Sequence, residues 1–145
     1  DAVGALTFAV GFGLEIVADR QKSAFNAAAH AGGGRNPRFI ASGLWKFSRH
    51  PNFFGEILIH VGLSLACAGG VPKHPAVGGM PVLTKFQHMC GVSPVWSAMF
   101  LFFTSLMLLE KRADEKWGGQ DDYERYKRAT SILLPWWPSA AAQVD

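Results

Sequence analysis

Long apolar runs alternate with charged segments along the chain. The apolar runs cover residues 2–14, 53–71 and 91–109. A helix needs about 20 predominantly apolar residues to cross a bilayer. The second and third runs therefore predict full transmembrane helices, whereas the first, which stops at Glu15, predicts a partial one. This distribution is typical of an integral membrane protein.

The character of the chain changes after Leu109. Residues 110–129 are charged and aromatic, and residues 132–138 read ILLPWWP. Paired tryptophans favour the membrane–water interface, so we predict an amphipathic C-terminal helix that lies there. The predicted fold is a single all-α integral membrane domain over residues 1–145, with two full transmembrane helices, one partial one and this interfacial helix.

Basic residues are distributed unevenly in this chain of net charge +3. Residues 19–52 contain six Lys and Arg side chains, residues 110–145 contain six more, and residues 72–91 contain only Lys73 and Lys85. The positive-inside rule places the two basic segments on the cytoplasmic side or its organellar equivalent. No nucleic-acid partner is predicted, because no helix-turn-helix or base-stacking pattern accompanies the charge.

Cysteine and histidine usage predicts no disulfide framework and no metal site. Cys67 and Cys90 do not form a CxxC pair. Within the second apolar run, Glu56 and His60 share a helix face at a spacing of four. Two local ligands are too few for a typical site, so a mutual hydrogen bond or a contact with a bound cofactor is the better interpretation.

A first polar cluster precedes the second apolar run, in the segment 42–56 with the sequence SGLWKFSRHPNFFGE. If Pro51 opens a helix, its N-terminal amides favour phosphate, and Trp45 offers a flat face for a base or nicotinamide ring. The alternative is a helix anchored at lipid headgroups. The cations and polar donors that predict an anion site are Lys46, Arg49, His50 and Asn52.

A second polar cluster follows the third apolar run. Glu110 and Asp114 lie four residues apart and share a helix face with each other, and Arg112 lies between them in sequence. We expect this cluster to meet the first in one polar pocket, where Glu110 and Asp114 would bind ribose hydroxyls and hold arginines. Arg49 would bind a cofactor phosphate or form a salt bridge such as one with Asp114. The alternative is a solvated, salt-bridged surface helix.

Five segments together resemble one family of membrane proteins, those with a steroid 5-alpha-reductase-like C-terminal domain of the DUF1295 type. Sterol reductases carry a similar Ser-Gly-x-Trp and Arg-His-x-Asn-Tyr-x-Gly pattern. The segments are ADRQKSAF, SGLWKFSRHPNFFGE, SPVWSAMFLFF, LLEKRADEKWGG and DYERYK followed by LLPW.

The resemblance implies a membrane enzyme that uses NADPH to reduce an activated carbon–carbon double bond in a lipophilic, lipid- or steroid-like substrate. Family members are roughly twice as long, and the groups that polarise the substrate come from their N-terminal half, so no catalytic residue is assigned. Phe53 stands where sterol reductases have Tyr. The implied cofactor-binding residues are Asp19, Lys22, Trp45, Arg49, His50, Asn52, Glu56, Arg112, Asp114 and Tyr126.

Two other functions remain open. Isoprenylcysteine carboxyl methyltransferases share an Arg-His-Pro motif and a C-terminal Glu–Tyr pattern, which would make S-adenosylmethionine the cofactor. The third possibility is a non-catalytic subunit that binds other subunits of a larger, organellar energy-converting membrane complex. In every case membrane lipids are expected partners.

The charge distribution makes a testable prediction about topology. Cysteine labels at positions 30 and 120 should react with a membrane-impermeant reagent from the same side of the membrane, and labels within residues 72–91 from the other. Labelling of His30→Cys and Gln120→Cys from opposite sides would contradict it.

Overall fold

A computed structural model describes residues 2–31, 38–70, 96–97 and 99–138. Within this part of the chain the structure is helical and contains no strand, and one isolated parallel bridge joins Ser48 and Ser131. The elements in order are α1 (Ala2–Ala31), a 3-10 turn (Gly43–Lys46), α2 (Pro51–Gly70), a π-helical segment (Leu101–Leu106), α3 (Met107–Trp117) and α4 (Asp121–Ala129).

The first helix is much longer than the partial span predicted from the sequence. α1 has 30 residues, and its stretch Ala2–Ala28 is long and apolar enough to cross a membrane. The expectation of a partial helix was wrong because Glu15 ends the apolar run but not the helix. Glu, Arg, Gln and Lys are good helix formers, and the residues after Glu15 continue α1 without a break.

The two predicted full spans are only partly supported. α2 begins at Pro51 as expected, but its apolar stretch, Pro51–Cys67, is shorter than that of α1. Residues 91–95 and 98 of the third apolar run lie outside the described residues, as does the predicted hairpin 72–91, and the rest of the run is helical, ending in the π-helical segment and the start of α3. Among the described helices, α1 alone has the length and composition of a full crossing.

The helices α1 and α2 pack against each other through glycines at backbone contact. A Cβ atom added to Gly11 would lie 2.7 Å from the carbonyl oxygen of Gly55, and one added to Gly55 would lie 2.7 Å from that of Gly11. Gly4 and Gly62 approach the opposite helix equally closely. Small residues at such seams allow close approach of helices in membranes.

The C-terminal part of the described chain folds as a short helical hairpin. α3 ends at Trp117, where the Gly118 amide donates to the Asp114 carbonyl at 2.8 Å, and Gly119 turns the chain at φ +81°. α4 begins with acidic and ends with basic residues, which matches its helix dipole. Tyr123 and Tyr126 are buried on one face of α4, so the amphipathic character of the predicted helix is confirmed, and its position at the membrane surface stays a prediction.

The segment after α4 runs alongside the segment before α2. The Arg49 amide donates to the Ser131 carbonyl at 2.8 Å and the Trp136 amide to the Phe47 carbonyl at 3.0 Å. The fully buried Ser48 hydroxyl donates to the Leu133 carbonyl at 2.8 Å. The two basic segments of the sequence therefore lie against each other, and their side of the membrane stays a prediction.

The glycine seam predicts opposite effects of one methyl group at two nearby positions. Gly11→Ala should destabilise the helix pair by about 1–3 kcal/mol, because its Cβ overlaps backbone atoms of α2. Gly13→Ala is the control: no atom lies within 4 Å of its added Cβ, so it should be neutral or stabilise α1 by about 0.5–1 kcal/mol. Unfolding in detergent measures both, and equal effects would contradict the seam.

Candidate functional site

A cavity of about 550 Å³ lies where the two polar clusters meet. Its volume falls within the roughly 300–1,000 Å³ of small-molecule and cofactor sites. Four basic and two acidic side chains contribute to its wall, together with aromatic rings. The lining residues are Lys22, Phe39, Ile40, Trp45, Arg49, His50, Asn52, Leu109, Glu110, Arg112, Ala113, Glu115, Lys116, Trp117, Tyr123 and Tyr126.

The Ser-Gly-Leu-Trp motif forms the turn that brings one wall of the cavity against α1. Gly43 has φ +62°, and a Cβ there would lie 2.5 Å from the Gln21 side-chain oxygen. The Leu44 amide donates to that same oxygen at 2.9 Å. The left-handed conformation favours glycine at position 43, and a larger residue there would also displace the end of the Gln21 side chain that accepts this hydrogen bond.

Trp45 is a structural part of this wall. It is 5% exposed, its indole N–H donates to the Ala18 carbonyl at 3.1 Å, and the Tyr126 hydroxyl donates to its carbonyl at 2.7 Å. The Lys22 ammonium lies 5.4 Å from the centre of its ring. Because one face is covered by Lys22 and the indole is buried, Trp45 closes the cavity more than it offers a free stacking surface.

Glu110 joins the two clusters. Its carboxylate forms an ion pair with the Arg49 guanidinium and lies 2.7 Å from His50 Nε2. All three side chains are only 11–14% exposed. The sequence predicted that the clusters meet, but it named Asp114 as a partner for Arg49; the structure has Glu110 there.

Two opposing effects set the acidity of Glu110. Burial favours its neutral form, but the hydrogen bond with His50 and the positive charge of Arg49 outweigh burial and hold the pKa of this carboxyl below its usual range. Glu110 is therefore ionised at neutral pH. An ionised carboxylate only accepts hydrogen bonds, so the proton between the two groups belongs to His50 Nε2.

Asp114 has a different function, holding α3 against α4. It accepts hydrogen bonds from the Tyr123 hydroxyl at 3.0 Å and from the Lys127 ammonium at 2.6 Å. The Lys127 contact is the main reason why the pKa of Asp114 is lowered. Burial and Asp114 together raise the pKa of Tyr123, so this hydroxyl stays protonated.

One wall of the cavity is an aromatic cluster in which Phe39 packs against rings of α3 and α4. The Phe39 ring centre lies 5.1 Å from that of Tyr126 and 5.3 Å from that of Tyr123. Trp117 meets Phe39 edge to face at 6.2 Å. Contacts between aromatic rings stabilise the folded protein by more than the burial of their area alone, and here they fix the position of Tyr126. Burial is also the main reason why the pKa of the Tyr126 hydroxyl is raised.

Two buried polar atoms of the site lack a hydrogen-bond partner among the described residues. They are Nε of Arg49 and Oδ1 of Asn52. An unsatisfied buried polar group costs about 1–3 kcal/mol, and such groups in native structures often mark a functional position. Together with the excess of basic side chains around the cavity, they give its wall unpaired polar groups and a net positive charge.

The ten residues predicted to bind a cofactor fall into two groups. Lys22, Trp45, Arg49, His50, Asn52, Arg112 and Tyr126 line the cavity. Asp19, Glu56 and Asp114 do not: Asp19 is exposed on α1, Glu56 is half-buried on α2, and Asp114 faces α4. No hydrogen bond joins Glu56 to His60, and no metal cluster occurs, among the described residues.

Nine of the lining residues were not among the predicted cofactor-binding residues, and Phe39 and Glu110 are two of them. Phe39 follows a glycine-rich stretch, where no pattern distinguishes it from a loop residue. Glu110 was predicted to share a helix face with Asp114 and to face the first polar cluster, but it was not named as a cofactor-binding residue.

In the described part of the chain, the fold is helical, one helix is long and apolar enough to cross a membrane, and a polar pocket lies at one end of a glycine-packed helix pair. The chain belongs to the DUF1295 family, described as a protein of unknown function, the profile of which matches residues 1–130. This is the family of steroid 5-alpha-reductase-like domains, so the resemblance seen in the motifs is confirmed. No curated protein and no solved structure gave a significant match.

The buried Glu110 predicts a large effect of losing one negative charge. Glu110→Gln should destabilise the protein by about 3 kcal/mol, because it leaves the Arg49 charge buried without a counter-ion. The control is Asp122→Asn, which breaks an ion pair with Arg125 that is more than half exposed and should change stability by less than about 1 kcal/mol.

The pH dependence of unfolding tests the same ion pair. Because the pKa of Glu110 is lower in the folded protein, its contribution is complete above the ordinary carboxyl pKa and is lost as pH falls through the lowered value. Glu110→Gln should flatten this acid limb, and an unchanged limb would contradict the assignment.

Proposed function

We propose that this chain is the cofactor-binding part of an NADPH-dependent membrane reductase that acts on an activated C=C bond of a lipophilic, lipid- or steroid-like molecule. The observation that carries the proposal is the cavity between the two clusters, where basic side chains outnumber acidic ones in a family of steroid 5-alpha-reductase-like domains. The length and apolar composition of α1 support a membrane location.

The basic side chains of the cavity differ in availability. Arg49 is already paired with Glu110, whereas Arg112 is exposed and has no hydrogen bond or ion pair among the described residues. Arg112, with Lys22, is therefore the better candidate for contacts with phosphate, for which Arg is suited by its fork of donors. Arg49 and Asn52 would hold the uncharged polar parts of the cofactor through their unsatisfied groups.

The chemistry divides between this pocket and the substrate. NADPH supplies a hydride when bound, and the reduction also needs a group that stabilises the negative charge developing on the substrate. The Tyr126 hydroxyl donates to Trp45 and the Tyr123 hydroxyl to Asp114, so both protons are engaged within the protein. Tyr123 and Tyr126 thus position and enclose the cofactor and transfer no proton to the substrate.

One observation favours a non-catalytic alternative. The charge of Arg49 is compensated internally by Glu110, with His50 contacting the same carboxylate, so no ligand is needed to neutralise it. A subunit of a larger membrane complex, derived from this fold, would need only that structural property. Such a subunit would bind neither NADPH nor S-adenosylmethionine.

Calorimetry on the purified protein in detergent distinguishes the candidates. The reductase proposal expects NADPH to bind more tightly than S-adenosylmethionine. Arg112→Gln should weaken NADPH binding by about tenfold or more, because one charge-assisted hydrogen bond contributes about 1.5–3 kcal/mol and each 1.4 kcal/mol is about tenfold in affinity. Arg128→Gln is the control, since Arg128 is an exposed cation of α4 that does not line the cavity.

Each result has a distinct meaning. The reverse order of affinities would favour a methyltransferase, and no binding of either molecule would favour the subunit. Equal losses in Arg112→Gln and Arg128→Gln would show that NADPH binds through diffuse charge and not in this cavity.

A further inference from the structure

The segment after α4 exposes three large apolar side chains next to one another. Leu134 is 63% exposed, Trp136 73% and Trp137 79%. Indole rings are among the largest apolar groups that proteins bury, so three large apolar side chains exposed within four residues need a physical explanation. We call residues 134–137 the tryptophan patch.

The patch is held in place by the rest of the molecule. The Trp136 amide donates to the Phe47 carbonyl at 3.0 Å, and the ring of Trp137 meets that of Phe47 edge to face at 5.3 Å. Just before the patch, the Leu133 carbonyl accepts the buried Ser48 hydroxyl. The exposure of the indoles is therefore a feature of the fold.

The patch lies near the end of the helix pair where the apolar stretch of α2 begins and that of α1 ends. Phe47 and Ser48 shortly precede Pro51, where the apolar stretch of α2 begins. The neighbouring turn contacts α1 at Ala18 and Gln21, where its sequence changes from apolar to charged. For helices that cross a bilayer, such a change marks the membrane surface, the depth that tryptophan prefers.

Charge near the patch agrees with this position. Lys46 directly precedes Phe47 and is exposed, and Arg128, near the end of α4, is exposed as well. The Thr130 hydroxyl donates to the Lys46 carbonyl at 3.5 Å, which keeps the two segments together. Cations beside interfacial aromatic rings are complementary to the phosphates of lipid headgroups.

We propose that the tryptophan patch inserts into the headgroup region of the bilayer and anchors the pocket at the membrane surface. The occupant is thus the lipid interface, and not a second protein. The patch and the pocket share the segment 45–50, so the depth of the indoles fixes the depth of the pocket. The inference rests on the membrane placement of α1 in the proposed function, but not on its cofactor.

Depth-dependent quenching in lipid vesicles tests the anchor. A single cysteine at position 134, in a chain with Cys67→Ser and Cys90→Ser, carries a fluorescent label and leaves both tryptophans intact. Lipids with a nitroxide near the headgroup should quench it about twofold more strongly than lipids with a nitroxide at the chain end. Labels at Val10→Cys, exposed on α1, and at Gln120→Cys, exposed between α3 and α4, serve as membrane and aqueous controls.

Three outcomes would overturn the anchor. If Val10→Cys is quenched by lipid nitroxides but Leu134→Cys only by aqueous iodide, the patch faces water. If the label at 134 is shielded from both quenchers, another protein or a second copy covers it. If no nitroxide lipid quenches the label at Val10→Cys, α1 does not lie in the membrane either, and the proposed membrane location is wrong. The NADPH calorimetry tests the proposed cofactor separately from this result.

Discussion

The Glu110 carboxylate lies between two groups that would be costly to bury alone, the Arg49 guanidinium and the His50 imidazole. Removing one partner of a buried pair leaves an uncompensated charge. The pair therefore fixes how the start of α3 is placed against the start of α2, although 61 positions separate Arg49 from Glu110 along the chain. The pocket is the space that remains around this contact.

The residues of the Ser-Gly-Leu-Trp and Ser-Arg-His-Pro-Asn motifs divide by physical function. Gly43, Trp45 and Ser48 shape the turn and attach it to α1, α4 and the C-terminal segment. Arg49 and Asn52 carry the polar groups that line the cavity. A motif of this kind specifies a backbone path and part of a cavity wall together, which explains why so many of its side chains are buried.

Local signals predicted part of this arrangement. Pro51 marked the start of α2, and the chain's two concentrations of charge predicted that the clusters would meet. The length of α1 could not be inferred from its apolar run, because Glu15 and Asp19 interrupt hydrophobicity without interrupting helix formation. Whether Glu110 or Asp114 pairs with Arg49 depends on how α3 is rotated relative to α2. Tertiary packing determines that rotation, so it could not be predicted from the local sequence.

The C-terminal segment is attached largely through main-chain groups: the carbonyls of Ser131 and Leu133 and the amide of Trp136. Main-chain groups are the same whichever side chain a residue carries. A substitution at Ser131 or Leu133 therefore leaves the main-chain contact of that residue in place, whereas at Leu134 and Trp136 it changes the exposed apolar surface. Sequence divergence at the first two positions is consequently a poor guide to divergence in the path of the backbone.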